Sequence, residues 1–182
     1  FEKQYYLRLP PSGNFRPRQL AQLLAGESTS ARQFADKVLN YYRRQKFAYT
    51  LQPPLYNNND GIDDFMFGSK QGFCEHYAQS FVVMMRAAGI PARVVTGYLG
   101  GDYQENGNFW QIRSKDAHAW AEIWLEEEQA WLRIDPTTAA SAQRQSGGLS
   151  NALPENEWQL VSGGNNDQIW NRWAESGQFY WQ

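Results

Sequence analysis

The sequence has one cysteine, Cys74, and two histidines, His76 and His118, among 182 residues. A lone thiol excludes any disulfide within the chain. It leaves Cys74 either a buried inert residue, the more frequent fate, or a reactive nucleophile. Charge of one sign is not in excess either, since the formal net charge is −2. The basic footprint of a nucleic-acid binder is missing, so nucleic acid is not an expected partner. No run reaches the ~18 apolar residues of a membrane span, and no charged-then-apolar leader is visible. The chain starts at Phe1 rather than Met and reads as a piece of a longer protein, whose compartment its own ends do not report. Metal chemistry has little footing. Cys74-x-His76 lacks the paired close ligands of a zinc site, and Glu126-Glu127-Glu128 lacks the alternating Asp/Asn/Gly of a calcium loop. No metal and no cofactor is expected.

What is present is an ordinary globular composition, 42% hydrophobic and 20% charged, long enough for one domain with a real core. Aromatic residues are plentiful at 15%, with eight Trp. Residues 1–18 read as irregular, because Pro10, Pro11, Gly13 and Pro17 oppose a long helix. A short helix is predicted from Arg18 to Ala25. A second is predicted to run to about Lys46, with N-cap oxygens on offer from Ser28, Thr29 and Ser30. Phe47–Leu51 reads as a short strand and 57–61 as a loop. The clearest periodic signal follows Gly72: Ala78, Phe81, Val82 and Met85 recur on one helical face, Gly89 ends the helix and Pro91 forbids its resumption. Cys74 sits one turn before Ala78 on that stripe, at the helix start. Beyond it, Ala92–Leu99 and Phe109–Arg113 read as strands across a Gly100-Gly101-Asp102 turn. His118–Leu125 and Trp131–Ile134 read as a hairpin across Glu126–Glu128, closed by Asp135-Pro136.

A thiol attacks carbonyls as thiolate, and two devices favour that form: the positive end of a helix and a neighbouring imidazolium. The helix start supplies the first. His76, two residues after Cys74, does not face it on a helix, which leaves His118. If the hairpin turn is centred between Glu126 and Glu127, position 118 lies opposite position 135. His118 and Asp135 are then side by side on one face, where a carboxylate can hold the second ring N–H. Each residue has a plainer role open to it, as a strand-edge polar residue or a turn starter; the joint arrangement is what points to chemistry. One tension stands against it. Ala119, Ala121, Ile123, Leu125, Leu132 and Ile134 form an apolar face, while His118, Trp120, Glu122 and Trp124 share the other. A helix packed only on the first face leaves His118 pointing away from Cys74, unless the sheet curls strongly with Trp120 and Trp124 filling the gap.

The runs Gly72–Ala78 (GFCEHYA), Met85–Tyr98 (MRAAGIPARVVTGY), Ala117–Trp124 (AHAWAEIW) and Trp131–Thr137 (WLRIDPT) resemble the core of the transglutaminase-like superfamily, in the family's chain order. The resemblance implies an α+β, papain-like fold, with the Cys-bearing helix packed on a curled antiparallel sheet. It implies a catalytic domain over residues 1–140, with its motif core at 60–138. It makes Cys74, His118 and Asp135 the catalytic residues of acyl transfer from a glutamine-containing protein or peptide to an amine acceptor, through a thioester. The Cys74 backbone N–H is the first expected oxyanion donor; Tyr49 is the candidate second donor, with Gln71 as the alternative. Trp120 and Trp124 are expected to line the cleft. No calcium dependence carries over. Bacterial membrane-anchored members place such a domain on the periplasmic side of the inner membrane. Residues 141–182 then read as a mobile linker followed by an aromatic-rich segment, either juxtamembrane or packed on the core. A hydrolase using water as acceptor and a non-catalytic cell-envelope binding module are the alternatives.

Overall fold

The computed structural model describes residues 3–56 and 59–140; the expectations for 141–182 lie outside the described residues. A 3-10 turn at Lys3–Leu7 precedes helix α1, Phe15–Gly26. This helix begins three residues before the predicted Arg18, because Pro17 falls in the first turn, where a missing N–H is no loss. Buried Asn14 makes the start possible from the left-handed region, φ 53°, which Asn tolerates. Its side-chain oxygen accepts the N–H groups of Ile62 and Asp63 at 3.0 and 3.1 Å, and Asp63 accepts the N–H of Arg16 at 3.1 Å. Two chain segments therefore cap each other.

Helix α2 runs Ala31–Arg44, with Ser30 as N-cap accepting the Gln33 N–H. It buries Phe34, Ala35, Val38 and Tyr42, the face its periodicity marked. The expected strand at Phe47–Leu51 shrinks to β1, Ala48–Tyr49, which pairs in parallel with β2, Gln71–Gly72. Between them α3, Gly61–Asp63, runs into a π-helical segment, Asp64–Ser69, for which no sequence signal was recognised.

Helix α4, Cys74–Ala87, is the centre of the molecule. It buries Tyr77, Ala78, Ser80, Phe81, Val82, Val83, Met84 and Met85, far more than the single stripe its pattern indicated. The reason is its place: α1 and α2 pack on it from one side and the main sheet from the other. Gly89, at φ 77°, ends the helix as predicted.

The main sheet has three antiparallel strands in the order β3-β6-β7: Ala92–Tyr98, Ala117–Leu125 and Ala130–Ile134. The strand expected at Phe109–Arg113 does not join β3, and Asp102, expected in a turn, starts a strand. Instead β4, Asp102–Gln104, and β5, Phe109–Gln111, form a separate hairpin, and β3 pairs with β6 along its whole length. Burial decides this. Ala119, Ala121 and Ile123 are fully buried, whereas Phe109 and Trp110 are more than half exposed, so only β6 can supply the inner face over α4. The β6–β7 hairpin forms as expected, but Ala121 pairs with Ile134 and Leu125 with Ala130. The turn is longer than predicted and the register differs by two residues.

Candidate active site

Cys74 is the first residue of α4 and is almost fully buried. The chain is brought there by the β1–β2 pair, in which Tyr49 lies opposite Gly72. No side chain fits at Gly72, because a Cβ there would come within 2.8 Å of His76 and 2.9 Å of Phe65. The bare backbone lets the chain turn into the helix close against both rings. His76 has a structural task at this corner: its Nδ1 accepts the N–H of Phe73 at 3.3 Å, and burial lowers its pKa to about 4. It is a neutral cap for the helix start.

His118 is the second residue of β6 and is 1% exposed. Its Nε2 donates to Oδ2 of Asp135 at 2.6 Å. The carboxylate's other oxygen accepts both the N–H and the hydroxyl of Thr137, at 3.0 and 2.6 Å. Asp135 is thus a turn starter, capping the 3-10 helix Pro136–Ala139, and also the imidazole's partner. The direct opposition of positions 118 and 135 is not what joins them, since the register places His118 beyond the last β7 pair. A two-residue difference keeps both side chains on one face, and the pair meets diagonally.

The thiol of Cys74 also acts on the proton affinity of this imidazole. Burial works to lower the His118 pKa. The hydrogen bond to Asp135 and the interactions with both Asp135 and Cys74 outweigh it, and the pKa rises to about 9. Nε2 is occupied by Asp135, so the nitrogen left for the sulfur is Nδ1, which is buried and makes no hydrogen bond among the described residues. For Asp135, burial works to raise the pKa, and the bonds from His118 and Thr137 overcome it and hold the carboxyl below its usual range. The feared turning-away of His118 does not occur. At its level β3 presents only Gly97 and β7 has already ended, and the space over Gly97 is taken by the Trp120 ring.

Tyr49 lies in the same corner: its hydroxyl accepts the Cys74 N–H at 3.4 Å, and its ring stacks on Tyr77. Gln71 is exposed, and its carbonyl accepts the Tyr56 hydroxyl. Of the two tryptophans expected in the cleft, Trp120 stacks against His118 with 24° between the planes. It folds over Gly97, where an added Cβ would meet its Cη2 at 2.8 Å. Trp124 does not join it. Six residues along the strand it is about 20 Å from His118 at the usual rise, and there it packs on Trp131 and donates to Glu126. Period-two alternation places both rings on one face but says nothing of distance along it. Thr137, whose two bonds fix the Asp135 carboxylate, was missed; the only signal was its place two residues after an Asp-Pro turn.

A helix-start thiol against an antiparallel sheet that carries an Asp-bonded histidine defines a transglutaminase-like α+β protein. The chain belongs to the Transglutaminase-like superfamily, whose family model matches residues 18–136. It is 44% identical over 147 residues to the protein-glutamine gamma-glutamyltransferase of Pseudomonas aeruginosa, covering 81% of this chain and 22% of that protein. It is 34% identical over 138 residues to the uncharacterized protein YebA of Bacillus subtilis, covering 72% of this chain and 19% of that one. The crystal structure of the periplasmic domain of TgpA from Pseudomonas aeruginosa matches with a TM-score of 0.77 at 43% identity, covering 83% of this chain and 52% of that chain. A protein from Cytophaga hutchinsonii shares the fold at 21% identity, with a TM-score of 0.52 over 75% of this chain and 42% of its own. The chain spans about a fifth of the length of these two curated relatives.

Proposed function

We propose that this chain is the catalytic domain of a cysteine-dependent acyltransferase that moves the acyl group of a protein glutamine to an amine. The observation that carries the reading is the imidazole of His118, bonded to Asp135 at 2.6 Å, with its proton affinity raised by both Asp135 and the Cys74 thiol. In this reading Cys74 Sγ attacks the side-chain carbonyl carbon of the glutamine. The oxyanion takes the N–H of Cys74, with the Tyr49 hydroxyl as second donor. An oxygen entering between two groups that now lie 3.4 Å apart can be bonded by both. The C–N bond breaks as the His118 imidazolium passes its proton to the departing ammonia, leaving a thioester and a neutral ring. That ring then takes a proton from the incoming amine, which attacks the thioester. An isopeptide bond forms, and the thiolate and imidazolium return. Asp135 holds the ring's tautomer and direction throughout. The glutamine donor and amine acceptor are supported by the name of the Pseudomonas relative. A periplasmic placement of the domain, in a membrane-anchored parent, is supported by the similar periplasmic structures.

The test is to incubate the chain with a glutamine-containing peptide and a labelled primary amine. Incorporation of the label with release of ammonia, abolished in Cys74→Ala, is the expected result. Ammonia without incorporation would make the domain a hydrolase, and no thiol-dependent turnover of either kind would overturn the enzymatic reading.

A further inference from the structure

Arg133 and Asp135 are alternate residues on one face at the end of β7, yet they have different partners. Asp135 is held by His118 and Thr137. Arg133 forms no ion pair or hydrogen bond among the described residues, and its guanidinium lies 4.0 Å from the centroid of the Trp120 ring. An unpaired guanidinium this near a carboxylate is a competitor, because a bidentate Arg–carboxylate bond is among the strongest side-chain pairings. What stands in the way is the indole. Carrying the Ala121–Ile134 pairing one step further puts position 120 opposite position 135, and Glu122 is the ladder partner of Arg133. In strand order Trp120 therefore lies between Arg133 and His118, stacking on the imidazole with ring centroids 6.4 Å apart. Its Nε1 is buried and makes no hydrogen bond among the described residues. The ring is thus held for its area and its plane, and not for its polar atom.

We propose that Trp120 is a positioning residue: it separates the Arg133 guanidinium from the His118–Asp135 pair, so that the carboxylate stays with the imidazole, and it covers that pair against water. The inference rests on the reading of His118 and Asp135 as working partners. The charged groups facing His118 agree with it. Cys74 from α4 and Asp135 beyond β7 are the two that shift its titration, and Arg133 is not among them. Asp116, two residues before His118, is occupied with the Arg113 N–H.

His118 is titrated by NMR in the 182-residue chain, with iodoacetamide alkylation of Cys74 as a second readout. Trp120→Ala is expected to lower the His118 titration by about 1 pH unit or more, as Arg133 takes the carboxylate and outweighs the opposite effect of entering water, and to slow alkylation at pH 8 several-fold. Adding Arg133→Gln to that variant should restore most of the shift, while Arg133→Gln alone should leave the titration where it was. If the alanine variant does not fold, Trp120→Leu fills the space without the plane and should shift in the same direction, again reversed by Arg133→Gln. A titration unmoved by loss of the indole overturns the proposal, as does a shift that Arg133→Gln does not reverse. Neither readout needs turnover, so a chain that transfers no acyl group still decides it, and the two failures remain distinguishable.

Discussion

Replacing Asp135 with Asn tests the centre of the site in one step. The substitution keeps the size of the side chain, and the amide oxygen can still accept the two bonds from Thr137. The amide nitrogen then faces Nε2 of His118, offering a donor where the ring needs an acceptor, and the imidazole is driven toward its other tautomer. The folded pKa of His118 is about 9. Losing an opposite charge in direct contact lowers it by about 1–3 pH units, to between roughly 6 and 8. At pH 8 the imidazolium fraction falls from roughly 90% to between roughly 50% and 1%. The rate of iodoacetamide alkylation, which follows the thiolate–imidazolium pair, should fall in proportion. Acyl transfer should fall further, by about 10²–10⁴-fold, because proton donation to the leaving ammonia is lost as well. The chain suits the measurement. It has one thiol and two imidazoles, and His76, with its pKa at about 4, does not titrate above pH 6. The single ring that moves between pH 6 and 10 is therefore His118. A titration still near 9 in the variant would refute the claim that Asp135 sets the proton affinity of this site.

Tyr49→Phe removes the hydroxyl beside the Cys74 N–H and should lower kcat by about 10²–10³-fold with little change in KM or in circular dichroism; an unchanged kcat would leave Tyr49 as a packing residue. Ser80→Ala strands the Tyr42 hydroxyl, its partner at 2.9 Å in a fully buried pair, and should cost about 1–3 kcal/mol by urea denaturation. Adding Tyr42→Phe should recover much of that, since removing both polar groups leaves none unpaired. Stability should peak near pH 6.5. His76, lowered to about 4, is protonated first in the unfolded chain, so stability is lost as pH falls from 6.5 toward 4. His118, raised to about 9, contributes fully below 6.5 and loses its contribution as pH rises through 9. His76→Gln should flatten the acid side of a urea-midpoint profile and leave the alkaline side unchanged.

The sequence made α2 and α4 legible because their apolar spacing, the Ser30 cap and the Gly89 stop all agree on one local structure. It did not reveal α3, the π-helical segment or the β1–β2 pair. Those are held by partners distant in sequence: Asn14 caps the start of α3, and a two-residue parallel ladder carries no periodicity to read. The strand β4 was missed, with Asp102 placed in a turn, for a related reason. Three-residue strands alternate too briefly to show whether their partner is the main sheet or each other.

The register of the β6–β7 hairpin shows why the pairing of His118 with Asp135 could nevertheless be read from the sequence. The expected turn was too short, and the observed pairing of Ala121 with Ile134 differs from it by two residues. An error of one would have moved Asp135 to the face toward α4 and dissolved the pair. An error of two leaves parity intact, so His118 and Asp135 still share a face and meet on the diagonal. Parity, however, cannot say how far apart two residues on that face lie, and so Trp120 and Trp124 looked equivalent although only Trp120 touches His118. Nor could it show that the His118 end of β6 runs past its β7 partner, beside a glycine on β3. That corner is filled by the Trp120 indole, which stacks on His118 and lies over position 97, where an added Cβ would meet its Cη2 at 2.8 Å, and it can do so because position 97 has no side chain.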